Sequence, residues 1–193
     1  MRLPEIDRGD GLANRLLIRF ISMVSRMRLP DAARVAFYER DFLSVPLGAW
    51  AQVTMRGPSV WSVGERELMA AMIAKWNSCQ FCMGAHGAVA AREMQRPAVD
   101  AALADFQAAA ISDRLRATLA FLEILTLRPT EVTAGDAKAA LATGLSAEAL
   151  TAAIAIAAIF NIITRYADAL GFVLPTADEF ERSAAMLLKR GYA

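Results

Sequence analysis

Residues 62–94 read SVGERELMAAMIAKWNSCQFCMGAHGAVAAREM, and they contain the clearest structural signals of the chain. Ser62 and Glu65 have the spacing of a capping box, in which the two side chains satisfy free amides of a first helical turn. The helical pattern after this box is interrupted just before Ser78, which is a good N-cap, so a second helix is expected from there to about Met94. The stretch therefore predicts two consecutive helices joined by a short break.

The whole chain has the composition of a helical protein. Of its 193 residues, 56% are hydrophobic, and much of that fraction is alanine, which has the highest helix propensity. Clusters of β-branched and aromatic residues bounded by turn signals are scarce, so an extensive sheet is not expected. Start and stop signals predict an all-α fold of about seven or eight helices, at about residues 10–28, 31–43, 62–75, 78–94, 113–127, 133–142, 147–170 and 177–190.

Proline and glycine divide the chain into two parts. Four such residues predict a loop after a first helical segment: Pro46, Gly48, Gly57 and Pro58. We therefore expect an N-terminal helical arm over residues 1–45 and one continuous helical domain over residues 46–193. Pro97 is expected to close the helical pair of residues 62–94.

Charge and hydropathy exclude several classes of protein. A formal net charge of +1 gives no electrostatic reason to expect nucleic-acid binding. The N-terminus shows no secretory signal, and the most apolar run, Leu150 to Ile163, is too short for a membrane span. The basic, amphipathic pattern of residues 10–28 would suit a membrane surface, although packing is the commoner use of such a pattern. We expect a cytoplasmic protein that binds neither membrane nor nucleic acid.

The only two cysteines and the only histidine of the chain are Cys79, Cys82 and His86. On a helix, these three side chains project from one face. The free N–H groups at a helix start lower the pKa of a thiol, and two cysteines three residues apart can alternate between dithiol and disulfide.

This cluster has other possible uses. A c-type haem site needs histidine directly after the second cysteine, and a thioredoxin fold needs βαβ units that the sequence lacks. A structural zinc site needs four ligands, and Glu67 is a candidate to complete such a set. Two small buried thiols without chemistry are the plainest alternative.

One longer pattern includes the cysteine pair: Glu67, then eleven residues, then Cys79-x-x-Cys82, then three residues and His86. This pattern resembles the signature of the alkylhydroperoxidase D-like family, within the carboxymuconolactone decarboxylase superfamily. The resemblance extends from about residue 40 to residue 175, and its later segments look like the peroxidase-related branch. One departure is Phe81, where alkylhydroperoxidase D often has a second histidine.

The resemblance implies an all-α fold, a homo-oligomer (dimer, trimer or hexamer) and a thiol peroxidase or disulfide reductase activity. It implies that Cys79 and Cys82 are the redox pair and that Glu67 and His86 form a proton relay. The partners would be a hydroperoxide substrate and an external dithiol reductant. No metal and no cofactor other than the Cys79–Cys82 disulfide would be needed.

A second polar set lies in the most apolar predicted helix. Asn161, Arg165 and Asp168 stand at positions i, i+4 and i+7, which form one stripe. Because an unpaired buried charge is expensive, Arg165 is expected to have a carboxylate partner, either in a pair with Asp168 or in a brace between helices. Alternatively, Arg165 or Asn161 lines the active-site pocket. Asn77 is interpreted as a turn residue.

The leading hypothesis is a thiol peroxidase in which Cys82, deprotonated with the help of Glu67 and His86, attacks a hydroperoxide and Cys79 then closes the disulfide. The helix dipole favours Cys79 as the attacking residue, whereas proximity to His86 favours Cys82, and we expect the second effect to be larger. Two rivals are a carboxymuconolactone decarboxylase-like enzyme and a helical oligomer whose thiols sense redox state without catalysis.

Overall fold

The computed structural model describes residues 1–38, 41 and 44–192, and within these ranges the chain forms eleven α-helices and no strand. The helices are α1 (Pro4–Arg8), α2 (Leu12–Ser25), α3 (Asp31–Val35), α4 (Val45–Arg56), α5 (Val63–Trp76), α6 (Gln80–Glu93), α7 (Arg96–Asp105), α8 (Asp113–Leu127), α9 (Ala134–Leu141), α10 (Ala147–Leu170) and α11 (Ala177–Arg190), with a 3₁₀ turn at Pro129–Glu131. Nine of them have seven residues or more. The all-α prediction is confirmed, whereas the predicted number of seven or eight helices was too low.

The three helices that the sequence did not predict all have a proline in their first turn. Pro4 begins α1, Pro46 is the second residue of α4, and Pro97 is the second residue of α7. A proline in the first helical turn breaks no hydrogen bond, because the N–H groups there have no partner within the helix. These prolines therefore begin helices, and the predicted loop after residue 45 is in large part the helix α4.

Helix α5 forms the centre of the molecule. Every residue from 66 to 74 is buried, and α5 packs against α4, α6, α7, α8 and α10. The predicted capping box at its start is present, with the Ser62 side chain accepting from the Glu65 amide and the Glu65 carboxylate accepting from the Ser62 amide. The expected pair of consecutive helices, α5 and α6, is therefore confirmed.

Helix α10 is the long apolar helix that packs along α5. By length and composition alone its 24 residues would suffice to cross a membrane, a test that a buried core helix also passes. Trp61, which precedes α5, is buried and donates its indole N–H to the carbonyl of Ala149 at 2.8 Å. Gly171, with a φ of 63°, ends α10 at the predicted residue.

The segment before α4 is joined by hydrogen bonds to the end of α10 and to the residue Val173 beyond it. The carboxylate of Asp31 is fully buried, pairs with Arg28 at 2.6 Å and accepts the amide of Val173 at 2.7 Å. The amide of Arg2 donates to the carbonyl of Leu170 at 2.6 Å. Helix α3 ends at Val35, and the expected end at residue 43 lies outside the described residues. The division into an arm of residues 1–45 and a domain of residues 46–193 stays a prediction.

Candidate active site

The junction between α5 and α6 positions the two cysteines. The amide of Cys79 donates to the carbonyl of Ala74 and the amide of Ser78 donates to that of Lys75, both at 2.9 Å. This pair of bonds is a Schellman motif, which requires a left-handed residue, and Ser78 has a φ of 60°. The expectation that Ser78 is the N-cap of the second helix is therefore wrong. Ser78 ends α5, and Cys79 is the N-cap of α6.

The two thiols lie together at the start of α6. Cys79 and Cys82 are both free cysteines, both buried, and approach each other to 3.2 Å. They pack in a small apolar cluster with Phe81, Ala74 and Ala167, away from the main core. A disulfide between positions three apart needs the two Cβ atoms within bridging range, and this approach is compatible with one.

The two thiols have opposite tendencies to ionise. A hydrogen bond from the Cys82 thiol lowers the pKa of Cys79, against the opposing effects of burial and of the Asp168 carboxylate. The same hydrogen bond, together with deep burial, raises the pKa of Cys82 far above its usual value. The position of Cys79 at the helix start acts in the same direction, because N–H groups there favour negative charge. The geometry thus favours Cys79 as the thiolate, which differs from the sequence-based expectation for Cys82.

A buried carboxylate and the histidine form the second part of the site. Nδ1 of His86 lies 2.7 Å from Oε2 of Glu67, and Nη2 of Arg56 lies 2.7 Å from Oε1 of the same carboxylate. The hydroxyl of Tyr192 donates to Oε1 of Glu67 at 2.9 Å. Burial alone would raise the pKa of Glu67, but the hydrogen bond with His86 and the charge of Arg56 outweigh it and hold this pKa below its usual value. Glu67 is therefore an ionised carboxylate with three partners.

The charge on Glu67 determines which nitrogen of His86 carries a proton. An ionised carboxylate only accepts hydrogen bonds, so Nδ1 of His86 is the donor in this pair. In the neutral imidazole, Nε2 is then the basic nitrogen. His86 follows Cys82 by one turn of α6, so the two side chains project from the same face of this helix.

Arg56 and Tyr192 are site residues that the sequence did not predict. Tyr192 is 125 positions from Glu67, and Arg56 is in the segment predicted as a loop. Neither belongs to the quoted signature, and no local pattern indicates that a tyrosine beyond the last helix returns to the core. Their approach to Glu67 is visible only in the tertiary structure.

The predicted polar stripe of α10 is a brace to the end of α5. The side-chain amide of Asn77 donates to Oδ1 of Asn161 at 2.9 Å and to the hydroxyl of Thr164 at 3.1 Å. The guanidinium of Arg165 donates to Oδ1 of Asn77 at 3.1 Å. Arg165 is on an exposed face, so its charge is hydrated and needs no carboxylate. The expected Arg165–Asp168 pair is absent from the ion pairs of the described residues. Asn77 is therefore a turn residue that also joins the end of α5 to α10.

A cavity of about 320 Å³ lies at the start of α6, where it is lined by the chain neighbours of Cys79 and not by either buried cysteine. Its walls combine aromatic, aliphatic and polar side chains with one cation and one anion, and the lining residues are Arg2, Ser78, Gln80, Phe81, Ala167, Asp168, Gly171, Phe172 and Leu174. Phe81 and Phe172, with ring centroids 5.0 Å apart in an edge-to-face arrangement, form its apolar side. A space of this size accepts a small organic molecule near the cysteine-bearing turn.

The geometry gives no support to a zinc site. Glu67, the candidate fourth ligand, is engaged with His86, Arg56 and Tyr192. Within residues 1–38, 41 and 44–192, no group of three or more histidine, cysteine, aspartate or glutamate side chains is arranged to hold a metal ion.

The chain is similar in structure to proteins of the alkylhydroperoxidase core. One is an uncharacterized peroxidase-related protein from Ralstonia eutropha JMP134, described as an alkylhydroperoxidase AhpD core, with a TM-score of 0.76, 24% identity, and coverage of 93% of this chain and 94% of that one. A second is an uncharacterized peroxidase-related protein from Silicibacter sp. TM1040, with a TM-score of 0.76, 19% identity and 93% coverage of each chain.

A third similar structure has a different chemistry. It is a cysteine-to-alanine variant of the debrominase Bmp8 in complex with 2,3,4-tribromopyrrole, with a TM-score of 0.70, 22% identity, and coverage of 90% of this chain and 94% of that one. No protein-family model matches the chain, and no curated protein sequence matches it significantly. At these identities the likeness establishes the fold, and the chain has the alkylhydroperoxidase D-like fold that the resemblance implies.

Proposed function

We propose that this protein is a thiol oxidoreductase that reduces hydroperoxides through Cys79 and Cys82. The observation that carries the proposal is the pair of free thiols, 3.2 Å apart, at the start of a helix whose first residues, Gln80 and Phe81, line a cavity. A hydrogen bond from Cys82 lowers the pKa of Cys79 and so stabilises its thiolate form. A thiolate is the form of cysteine that attacks electrophiles.

The chemistry would run in two steps. The Cys79 thiolate attacks one oxygen of the hydroperoxide, the O–O bond breaks, Cys79 becomes a sulfenic acid, and the alkoxide takes a proton and leaves as an alcohol. Cys82 then attacks the sulfenic sulfur, its thiol proton is removed, and water leaves as the disulfide forms. The sum is reduction of one hydroperoxide to alcohol and water by the two thiols.

His86 and Glu67 would serve the second step. Cys82 holds its proton strongly, because it is buried and donates to Cys79. His86 follows Cys82 by one turn of α6, so its Nε2 would accept this proton, and Glu67 would stabilise the imidazolium that results. This assigns Cys79 as the attacking residue and Cys82 as the resolving one.

An external dithiol would return the protein to its reduced form by thiol–disulfide exchange. The natural hydroperoxide and reductant, a cytoplasmic location and a homo-oligomeric assembly all remain parts of the proposal. Sedimentation of the purified protein measures the assembly directly.

Single-turnover kinetics test the proposal. Reduced protein is mixed with cumene hydroperoxide in a stopped-flow instrument, and sulfenic acid is trapped with a dimedone probe. Cys82→Ser is expected to form a trappable sulfenic acid at Cys79 at near the wild-type rate, whereas Cys79→Ser should be at least a hundredfold slower. Rapid sulfenic acid formation at Cys82 in Cys79→Ser would reverse the two roles, and no reaction in the wild type would exclude hydroperoxide as substrate.

A second candidate is reductive removal of halogen from an aromatic ring. The debrominase with bound tribromopyrrole has the same fold, and here Phe81 and Phe172 line a cavity at the start of α6. Two thiols supply the needed electrons, since an aryl bromide and two thiols give the unsubstituted ring, a disulfide and hydrogen bromide. Bromide release from a bromopyrrole, measured beside hydroperoxide consumption, decides between the two substrates.

Two further measurements distinguish the two rivals that were stated from the sequence. Turnover of carboxymuconolactone by a Cys79→Ala, Cys82→Ala double variant would favour a decarboxylase. Reversible oxidation that changes assembly, without turnover of either electrophile, would favour a redox sensor.

A further inference from the structure

The segment after α11 turns back into the core. Gly191 has a φ of 75°, a conformation that side chains disfavour, and a Cβ there would overlap Oε1 of Gln52. The next amide, that of Tyr192, donates to the same Gln52 oxygen at 2.7 Å. A Cβ at Gly48 would lie 3.0 Å from the carbonyl oxygen of Tyr192. Gly48, Gln52 and Arg56 are four residues apart on α4, so one face of this helix receives the segment.

This docking places the phenol of Tyr192 against the acidic part of the site. The hydroxyl donates to Oε1 of Glu67 at 2.9 Å and lies 3.3 Å from Nδ1 of His86. The phenol ring is nearly parallel to the imidazole, at 9°, and the guanidinium of Arg56 lies 5.0 Å from the ring centroid. Burial and the charge of Glu67 raise the pKa of Tyr192 well above its usual value, so the phenol stays a donor.

The carboxylate oxygens of Glu67 are thereby divided among fixed partners. Tyr192 and Arg56 occupy Oε1, and His86 occupies Oε2. A carboxylate with only one of these partners is free to rotate about its terminal bond, and its hold on Nδ1 of His86 weakens accordingly. The phenol is the partner that bridges both members of the relay.

We infer that Tyr192 is a positioning residue, which fixes Glu67 and holds His86 in the tautomer with a proton on Nδ1. This inference rests on the proposed function, in which the opposite nitrogen, Nε2, accepts the proton of Cys82. The packing of residues 191–192 on α4 therefore supports the proton relay of Glu67 and His86, although these two residues lie outside the family signature.

The tautomer of His86 can be measured without substrate. His86 is the only histidine of the chain, so a two-bond ¹H–¹⁵N spectrum of the reduced protein contains one imidazole and needs no assignment. The wild type is expected to show the Nδ1–H tautomer at high pH. Tyr192→Phe keeps the ring and removes the hydroxyl, and its two nitrogen shifts should approach each other as both tautomers become populated. Tyr166→Phe, which removes a hydroxyl from α10, is the matched control and should leave the spectrum unchanged.

A second pair of variants tests the docking itself. Gly191→Ala should change the His86 spectrum in the same direction, because it displaces residue 192 from Gln52. Gly144→Ala, at a φ of 83° with open space around it, is its control for backbone strain alone. A wild-type tautomer ratio in both Tyr192→Phe and Gly191→Ala would overturn the inference.

Kinetics complete the test. Disulfide formation in a single turnover at neutral pH should slow about tenfold in Tyr192→Phe, the change that about 1.4 kcal/mol of barrier produces. Sulfenic acid formation at Cys79 should keep its rate, since the relay serves the second step. If the wild type reduces no hydroperoxide, the proposed function fails, while the spectrum still decides whether Tyr192 positions His86.

Discussion

Among single residues, two pairs define the site: the thiols of Cys79 and Cys82, and the side chains of His86 and Glu67. The hydrogen bond from Cys82 to Cys79 lowers the pKa of Cys79 and raises the pKa of Cys82. His86 donates to Glu67, which remains charged although it is fully buried. In each pair, a hydrogen bond from the donor lowers the pKa of its partner, Cys79 or Glu67.

Removing the donor from Cys82 should make Cys79 less acidic. Cys82→Ala leaves the Cys79 thiolate without its main hydrogen bond, so its pKa should rise, whereas Cys82→Ser keeps a hydroxyl donor and should give a smaller rise. A pH titration of the ultraviolet absorbance of the thiolate measures both. An unchanged midpoint in Cys82→Ala would argue against the shared hydrogen bond.

Glu67→Gln should destabilise the protein in a pH-dependent way. The pKa of Glu67 is lower in the folded chain than its ordinary value, so the charge contributes stability above about pH 4.5, and this stability is lost as the pH falls through the folded value. At pH 7 the substitution leaves Arg56 without its ion-pair partner, and the expected cost is about 3 kcal/mol. Urea unfolding at pH 7 and pH 3 measures the difference.

The control for this experiment is Glu123→Gln on α8, which removes a partly exposed carboxylate from outside the site. It should change the stability by less than about 0.5 kcal/mol at both pH values. A loss for Glu67→Gln that is as large at pH 3 as at pH 7 would show that packing, and not charge, is responsible.

For the helices and their ends, the sequence is informative where the signal is local. The Ser62–Glu65 capping box predicted the start of α5, and start and stop signals predicted the bounds of α10 and α11, because each of these signals acts within one turn. The prolines of α4 and α7 were interpreted as breaks. A proline that begins a helix differs from a proline in a loop only in the conformation of the residues after it, and tertiary packing decides that conformation.

The junction of α5 and α6 offers a test of this local structure. Ser78 has the left-handed conformation that a non-glycine residue adopts at a cost, so Ser78→Gly should stabilise the protein by about 0.5–1 kcal/mol. Chemical unfolding of the reduced protein measures this. Ser62→Gly, in the extended conformation of an N-cap, should not stabilise it. A loss of stability in Ser78→Gly would argue against the left-handed turn.

In the molecule as a whole, distant segments converge on one helix pair. Arg56 from α4 and Tyr192 from beyond α11 meet Glu67, while Arg2 lines the cavity at the start of α6. The Glu67–His86 contact was predicted through the resemblance alone, since spacing along the chain does not place the two side chains together. The other contacts depend on tertiary packing, for which the sequence contains no local signal.

The attachment of the first three helices gives a prediction for the whole chain. Asp31 is buried and joins this segment to Val173, beside the cavity wall at Phe172. Asp31→Asn removes the charge that Arg28 pairs with, and the expected cost is about 2 kcal/mol. Calorimetry should show one transition at a lower temperature. An unchanged transition would mean that this segment contributes little to the stability of the remainder.

The proposed activity requires that Cys79 and Cys82 convert reversibly between two thiols and one disulfide while a hydroperoxide is reduced. The decisive experiment is intact-mass spectrometry of the reduced protein after addition of one equivalent of cumene hydroperoxide. We expect loss of two hydrogens from the chain, recovery of the original mass with a dithiol, and a trapped sulfenic acid at Cys79 in Cys82→Ser. A wild-type chain that keeps both thiols while the hydroperoxide is consumed, or one that consumes none, would refute the proposed redox cycle.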